Sequence, residues 1–213
     1  MLINTDSFQI YDISMPITRL MPVYKGKEQK KPIFSIDSDF SSGTAYETRL
    51  EMNLHTGTHL DAPLHMILDG YTMEKIDLSK VVTVCKVIDL THVNDKITDS
   101  DLAGFPIKEG DFILLKTRNS YEDILEGEFV YLHKSGAQYL KNMKIKGVGI
   151  DALGIERNQP DHGTHISLFN SDIIILEGLR LKDVEEGEYL LSAAPVLIPQ
   201  AEAAPVRAYL IKS

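Results

Sequence analysis

Short apolar runs constrain what this 213-residue chain can fold into more than any other feature. Each run is rich in Val, Ile and Leu, which is typical of strands buried inside a sheet. The clearest runs cover residues 81–90, 111–117, 147–153 and 173–176. A chain of this length fits one domain with its own core. The pattern therefore predicts a single mixed α/β domain over residues 1–213, with more sheet than helix.

Periodic segments refine this prediction. Residues 44–54 alternate apolar and polar side chains, which predicts a strand with one buried face that runs straight into His55. Helical patterns cover residues 98–102 and 135–143, and Ser135 is expected at or near the start of the second helix. The helices are few and short, so the sheet is expected to carry most of the core.

Composition excludes several classes of partner. The formal net charge is −9 and no basic run appears, which argues against nucleic acids and anionic membrane surfaces. No apolar run approaches the roughly 20 residues of a membrane-spanning helix, and the first residues do not resemble a signal peptide. Cys85 is the only cysteine, so no intrachain disulfide can form, and a buried thiol is expected. We expect a soluble, cytoplasmic protein.

Three histidines, a carboxylate, a glycine and a proline lie together in residues 55–65. Imidazoles and carboxylates are usual ligands of zinc and similar metals. The residues between His55 and His59 form helices poorly, so a strand end and a tight turn at Gly57 are expected to bring the imidazoles together. His59 and Asp61 share a face of an extended chain. A polar surface turn is the alternative, but buried imidazoles and carboxylates are costly without partners.

His65 differs from the other two histidines because it follows Pro63. The turn there can carry its imidazole over the metal site and not onto it. An imidazole that titrates near neutral pH is suited to moving protons at the edge of such a site. The alternative is that His65 is a further ligand.

A second dense patch, residues 161–165, is expected to complete the site. Glu177 follows a buried strand, where a carboxylate is costly unless it is paired or bound to a metal. Spacing alone leaves other interpretations open. Glu177 can pair with Arg180, and His162 and His165 can lie at the start of a helix. Either histidine can supply the missing ligand on this evidence.

The pattern His-x-Gly-Thr-His-x-Asp-x-Pro-x-His at residues 55–65 resembles the signature of the cyclase family of metal-dependent hydrolases. That family includes bacterial kynurenine formamidase (arylformamidase) and isatin hydrolase. Residues 11–16, 110–117 and 147–151 are similar to further family segments. The late pattern His-x-x-Leu…Glu is matched by residues 165–177, which favours His165 over His162.

The resemblance implies a binuclear metal site. The implied ligands are His55, His59, Asp61, His165 and Glu177. His55 and His59 would bind one ion and His165 the other. Asp61 and Glu177 would be shared between the two ions. His65 would be the catalytic acid and base. Zn²⁺, as one or two ions, is the expected metal and Mn²⁺ the alternative.

The family also implies a fold and an assembly. The fold is an α/β domain with a mostly antiparallel, barrel-like central sheet flanked by helices, of the swivelling β/β/α type. The assembly is a homo-oligomer, a dimer or a tetramer.

One departure from the family concerns the substrate. Its formamidases carry a tryptophan before Pro-Gly-Asp in an early loop, where it packs on the aromatic substrate, and this chain has no tryptophan. Tyr24 is the nearest equivalent, with Lys25 and Lys27 where the proline and aspartate are expected. The two lysines favour a substrate that bears a carboxylate, unless they are simply solvated.

The activity implied is hydrolysis of a small amide by water that the metal activates. N-formylkynurenine would give kynurenine and formate, a step of tryptophan catabolism. An isatin-type cyclic amide or a lactone is an alternative substrate. A catalytically silent protein that binds a metal or a small molecule is another alternative, against which the intact His65 argues. A purely structural metal is a third, but structural zinc sites are usually closed and often rich in cysteine.

Overall fold

A computed structural model describes residues 2–4 and 8–212. Its strands are β1 Leu2–Asn4, β2 Gln9–Asp12, β3 Ile33–Ser38, β4 Glu47–Glu51, β5 His59–Asp61, β6 Val82–Asp89, β7 Lys96–Ile97, β8 Phe112–Lys116, β9 Tyr131–Leu132, β10 Gly147–Ile150, β11 Ile174–Glu177, β12 Gly187–Ser192, β13 Ala203–Pro205 and β14 Tyr209–Lys212. Its helices are α1 Leu78–Val81, α2 Asp99–Leu102, α3 Lys134–Asn142 and α4 Gly163–Phe169.

Ten strands form one mixed sheet in the order β1-β2-β14-β12-β6-β8-β10-β11-β5-β13. Strand β6 is parallel to β8, β8 is parallel to β10, and β10 is parallel to β11. Among the described residues, this sheet has nine pairings of neighbouring strands, and the other six are antiparallel. The predicted α/β class with a mostly antiparallel sheet is confirmed. Parallel neighbours need long crossover connections, and α2, α3 and α4 lie in those three connections.

The central strand β8 separates two apolar cores. Its five residues are all buried. Ile113 and Leu115 pack into the core that also holds Leu140 of α3 and Leu168 of α4. The three crossover helices therefore cover one face of the sheet.

The second core lies on the other face of the sheet. Phe112 and Leu114 of β8 pack there with Leu60 of β5 and Leu210 of β14. Strands from opposite ends of the sheet order therefore cover the same core, so the sheet curls toward a barrel. This agrees with the barrel-like sheet that the family implies.

The segment 44–54 is a correction to the sequence prediction. Its strand is only β4, Glu47–Glu51, and all five residues are exposed. Among the described strands it pairs with β3 alone, in a two-stranded ribbon outside the main sheet. Because every side chain of β4 is exposed, the alternating pattern has no buried side. The strand also ends before His55, and a turn separates the two.

The other predicted elements differ mainly in their bounds. The strand predicted over residues 147–153 ends at Ile150, because the chain then bends toward the site. The side chain of His133, not Ser135, accepts the hydrogen bond that caps α3. Cys85 is buried as expected, and burial raises the pKa of its thiol to about 12. In the described part of the chain, no helix is long and apolar enough to cross a membrane. A single domain over residues 1–213 stays a prediction.

Candidate metal centre

Strand β5 carries His59 and Asp61, and both side chains are buried. The strand pairs with β11 in an antiparallel register that sets Glu177 directly opposite His59. The sequence patch at 55–65 and the distant Glu177 are thus brought together by backbone pairing. The carboxylate at the end of the buried strand faces the imidazole and is not exposed to solvent.

Two glycines allow this close approach. Gly57 and Gly178 both have a φ of +72°, which favours glycine. A Cβ atom added to Gly178 would lie 2.1 Å from the carbonyl oxygen of Gly57. The hydroxyl of Thr58 completes the junction by donating to the carbonyl of Gly178 at 2.7 Å. The turn that carries His55 is therefore packed directly on the residue after Glu177.

Helix α4 supplies His165, which is buried. The residue that precedes the helix is His162, and its backbone is in the left-handed region with φ 47°. The His162 side chain is about half exposed and contacts Glu156. The structure thus places His165, and not His162, against the other predicted ligands.

The predicted ligand atoms converge at short range. Nε2 of His59 lies 3.4 Å from Oδ1 of Asp61 and 3.3 Å from Oε2 of Glu177. Nε2 of His165 lies 3.4 Å from Oε1 of Glu177 and 3.7 Å from Oδ2 of Asp61. Nδ1 of His55 lies 2.9 Å from Oδ1 of Asp61. All five predicted ligands are therefore brought into one cluster.

Several of these buried atoms make no hydrogen bond of good geometry, which tests whether a metal fits. They include Nε2 of His59, Nε2 of His165 and both carboxylate oxygens of Asp61. Buried polar groups without partners are costly, and these point at one another at 3.3–3.7 Å. Two ligands about 2.1 Å from a tetrahedral zinc ion lie about 3.4 Å apart. The donor set therefore fits a divalent metal.

The outer nitrogens of the three histidines are each held by an acceptor. Nδ1 of His59 lies 2.9 Å from the carbonyl oxygen of Gly57. Nδ1 of His165 lies 2.6 Å from Oε1 of Glu156. Nε2 of His55 lies 3.3 Å from Oε1 of Glu202. Such outer partners fix the orientation of metal-ligating histidines and raise their basicity.

Sequence reasoning missed both Glu156 and Glu202. Glu156 is buried, and its second oxygen accepts from the backbone N–H of Thr164 at 3.1 Å and from Gln159 at 2.7 Å. Neither glutamate lies in a recognisable motif. Only the proximity of Glu156 to the patch at 161–165 is visible in the sequence.

The charges of the cluster are strongly coupled. Burial alone would lower the pKa of His59, but the Asp61 and Glu177 carboxylates outweigh it and raise the pKa to about 10. Burial would raise the pKa of Asp61, but the histidines His165, His55 and His59 hold it well below the usual value. The carboxylates also raise the pKa of His165. Without a metal, His59 and His165 therefore hold protons that a divalent ion would displace.

His65 lies beside the cluster on the turn Pro63–His65. Its ring centroid is 4.1 Å from that of His55 and 5.5 Å from that of His165. Burial lowers the pKa of its imidazole to about 4. Its nitrogens also lie close enough to His55 and Asp61 to belong to a metal-binding group. The geometry thus places His65 at the edge of the cluster of predicted ligands.

A cavity of about 160 Å³ opens above the cluster. His65, His165 and Glu177 line its floor, and Tyr24 and Lys30 line its rim. The Tyr24 ring packs over Gly154, where an added Cβ would lie 3.2 Å from the ring. The loop predicted around Tyr24 forms two short 3₁₀ turns, Tyr24–Gly26 and Glu28–Lys30.

Arg180 does not pair with Glu177, which closes one of the alternatives left open by spacing. Its guanidinium donates to the carbonyl oxygen of Asn119 at 3.0 Å. Oε1 of Glu177 instead accepts from the backbone N–H of Ile155 at 2.6 Å. Glu177 is therefore turned toward the histidines.

Comparison with known proteins identifies the family of this chain. The family model described as Putative cyclase matches residues 11–157, more than half of the chain. The chain belongs to the cyclase family. A kynurenine formamidase of Sphingopyxis alaskensis is 30% identical over 207 residues, which cover 95% of this chain and 97% of that protein.

Solved structures resemble this cyclase-family chain along most of its length. A predicted metal-dependent hydrolase from Bacillus stearothermophilus has a TM-score of 0.89 at 49% identity, covering 97% of this chain and 100% of the other. Isatin hydrolase A from Labrenzia aggregata, bound to benzyl benzoate, has a TM-score of 0.82 at 21% identity, covering 96% and 93%. The latter likeness concerns the fold alone. The kynurenine formamidase and the metal-dependent hydrolase show that the chain is an enzyme of the hydrolase class. Together with the cluster of histidines and carboxylates, they indicate a divalent metal as its cofactor.

Proposed function

We propose that this cyclase-family protein is a metal-dependent amide hydrolase that resembles arylformamidase. Its substrate would be N-formylkynurenine, and its products kynurenine and formate. The observation that carries the proposal is the cluster of buried His59, Asp61 and His165 atoms that make no hydrogen bond of good geometry. This cluster adjoins a cavity that His165 and Glu177 line. The similarity to a kynurenine formamidase along nearly the whole length of both chains supports the choice of a formamide.

We assign His55, His59, Asp61, His165 and Glu177 as the residues that hold the metal. Zn²⁺, as one or two ions, suits these donors, and Mn²⁺ is the alternative. A bound divalent ion supplies Lewis-acid chemistry, lowering the pKa of water and polarising a carbonyl group. The histidines are suited to this because their outer nitrogens are fixed by Gly57, Glu156 and Glu202.

His65 has the role of moving protons. Hydrolysis breaks the carbon–nitrogen bond of the formamide, places the hydroxyl on formate and places a proton on the leaving amine. His65 lines the cavity. No carboxylate of the described residues lies within ion-pair distance of its imidazole, in contrast to the three ligand histidines. It is therefore available to take a proton and deliver it to the nitrogen.

Tyr24 has the role of contacting the substrate. Its ring lines the cavity and is held against Gly154 and Phe129. A flat ring in this position can pack on an aromatic amide. Location in the cytoplasm, a place in tryptophan catabolism and assembly as a homodimer or homotetramer belong to this proposal as well.

Turnover after metal exchange tests the proposal. The purified protein is stripped with a chelator, reloaded with Zn²⁺ or Mn²⁺, and assayed with N-formylkynurenine and with isatin. We expect activity on N-formylkynurenine that the chelator removes and the metal restores. Faster turnover of isatin would move the assignment to cyclic amides. Metal binding without turnover of either substrate would contradict the proposal and indicate a catalytically silent binding protein.

A further inference from the structure

Lys30 is a cationic side chain at the rim of the cavity that the proposed mechanism does not use. It lines the cavity together with Tyr24 and His65. Its backbone carbonyl accepts from the hydroxyl of Thr56 at 3.2 Å, which ties Lys30 to the residue after His55. Lys30 is therefore held next to the candidate metal centre by a backbone contact.

The ammonium of Lys30 has no anionic partner among the described residues. No carboxylate oxygen in that part of the chain lies within 4 Å of Nζ, whereas the neighbouring Lys31 pairs with Glu28 at 2.7 Å. Nζ of Lys30 lies 5.7 Å from the centre of the Tyr24 ring. Burial also lowers the pKa of Lys30. A partly desolvated ammonium without a counter-ion is favourable when a bound ligand supplies one.

The lysines singled out in the sequence occupy a different environment. Lys25 and Lys27 are exposed and do not line the cavity. Nζ of Lys25 lies 5.3 Å from the centre of the Tyr24 ring. Lys30, and not Lys25 or Lys27, is therefore the lysine near Tyr24 that is placed to select a carboxylate.

We propose that Lys30 binds a carboxylate of the substrate, so that the enzyme prefers amides that carry an anionic group on the part of the molecule away from the scissile bond. The inference rests on the proposed amide hydrolysis. Tyr24 and Lys30 form a paired recognition element, in which the ring packs on the apolar part of the substrate and the ammonium pairs with its carboxylate. The candidate metal centre below them contacts the amide.

A second explanation of Lys30 makes a different prediction. The ammonium could only offset the negative charge of Asp61 and Glu177, which both act on it electrostatically. In that case, removal of the ammonium would change kcat/KM for all amide substrates to the same extent. Binding to a substrate carboxylate affects only the substrates that have one.

Matched substrates separate the two explanations. Zinc-loaded wild-type enzyme and the variants Lys30→Met, Lys30→Arg and Lys27→Met are assayed with formanilide and with 2-, 3- and 4-formamidobenzoate, which add only a carboxylate to it. For the best carboxylated substrate, we expect Lys30→Met to lower the ratio of its kcat/KM to that of formanilide about 10- to 100-fold, as loss of a charge-assisted hydrogen bond does. The change should appear mainly in KM. Lys30→Arg should retain most of the preference, and Lys27→Met should leave the ratio as in the wild type.

Three outcomes are distinct. An unchanged ratio in Lys30→Met, or an equal loss on all four substrates, would overturn the role of Lys30 while leaving amide hydrolysis intact. A wild-type preference for formanilide over every formamidobenzoate would do the same. No turnover of any formamide by the wild type with Zn²⁺ or Mn²⁺ would overturn the proposed function, and this inference with it.

Discussion

Nδ1 of His165 donates a hydrogen bond to Oε1 of Glu156 over 2.6 Å, and this leaves Nε2 of the same ring facing Asp61 and Glu177. Glu156 is itself fixed, because its other oxygen accepts from the backbone N–H of Thr164. The buried carboxylate thus determines which imidazole nitrogen is presented to the candidate metal centre. A ligand ring held this way loses little freedom when a metal binds.

Replacement of Glu156 by glutamine tests this arrangement. The amide keeps the shape but loses the charge that orients His165, so we expect a 10- to 100-fold weaker affinity for zinc. Competition with a chromophoric chelator measures the affinity. The matched control is Glu188→Gln, because Glu188 is exposed on β12. Equal zinc affinity in the wild type and Glu156→Gln would show that Glu156 does not position the ligand.

Replacement of His65 by alanine separates proton transfer from metal binding. We expect kcat on the preferred amide to fall about 10²- to 10⁴-fold, because general acid–base catalysis contributes on this order. Metal content measured on the same sample should remain that of the wild type. The exposed His92 provides a control in His92→Ala. Loss of metal from His65→Ala would make His65 a ligand and contradict its assigned role.

Replacement of Gly178 by alanine tests the close contact between the turn at Gly57 and the residue after Glu177. The new Cβ would overlap the carbonyl oxygen of Gly57, and the φ of +72° at residue 178 is unfavourable for alanine. We expect a loss of about 3 kcal/mol in the free energy of unfolding, measured by urea denaturation. A Cβ at Gly104 meets no atom within 4 Å, so Gly104→Ala should change stability little. Similar stabilities for both variants would contradict the close approach.

A buried carboxylate away from the metal centre gives a pH-dependent prediction. Desolvation raises the pKa of Asp151 from 3.8 to about 6, despite hydrogen bonds from Ser120 and Thr117. The folded state therefore binds this proton more tightly than the unfolded state. The resulting stabilisation is complete below about pH 4 and is lost as the pH rises through about 6.

Comparison with Asp151→Asn isolates this contribution, since other titrating groups are common to both proteins. Between about pH 4 and pH 7, we expect the wild type to lose up to about 3 kcal/mol of unfolding free energy relative to the variant. Urea denaturation at several pH values measures the difference. Curves that stay parallel across this range would show that Asp151 has an ordinary pKa in the folded protein.

The sequence predicted the parts of the site whose geometry is local. His55, His59 and Asp61 are close in the chain, and a turn at Gly57 followed by a short strand is sufficient to bring them together. The family pattern extended the set to His165 and Glu177. The structure shows the reason, because antiparallel pairing sets Glu177 opposite His59. The spacing of residues along the chain does not predict that pairing.

Three other features depend on tertiary contacts that sequence patterns do not reveal. Glu202 reaches His55 from a distant segment, Glu156 reaches His165 from the loop before α4, and Lys30 reaches the cavity through a loop. The prediction of a strand with one buried face over residues 44–54 was wrong for a related reason. Alternation predicts a buried face only when another layer covers the strand, and all five residues of β4 are exposed.

Metal analysis of the wild type beside Asp61→Asn tests the central claim most directly. Asp61 contacts the side chains of His55, His59 and His165 at the centre of the cluster, and asparagine keeps its shape without its charge. After loading with Zn²⁺ or Mn²⁺ and removal of free ions, we predict one or two bound ions per wild-type chain and a large loss in the folded variant. Equal metal content in the two proteins, or a wild type that retains no metal, would contradict the claim that these residues form a metal centre.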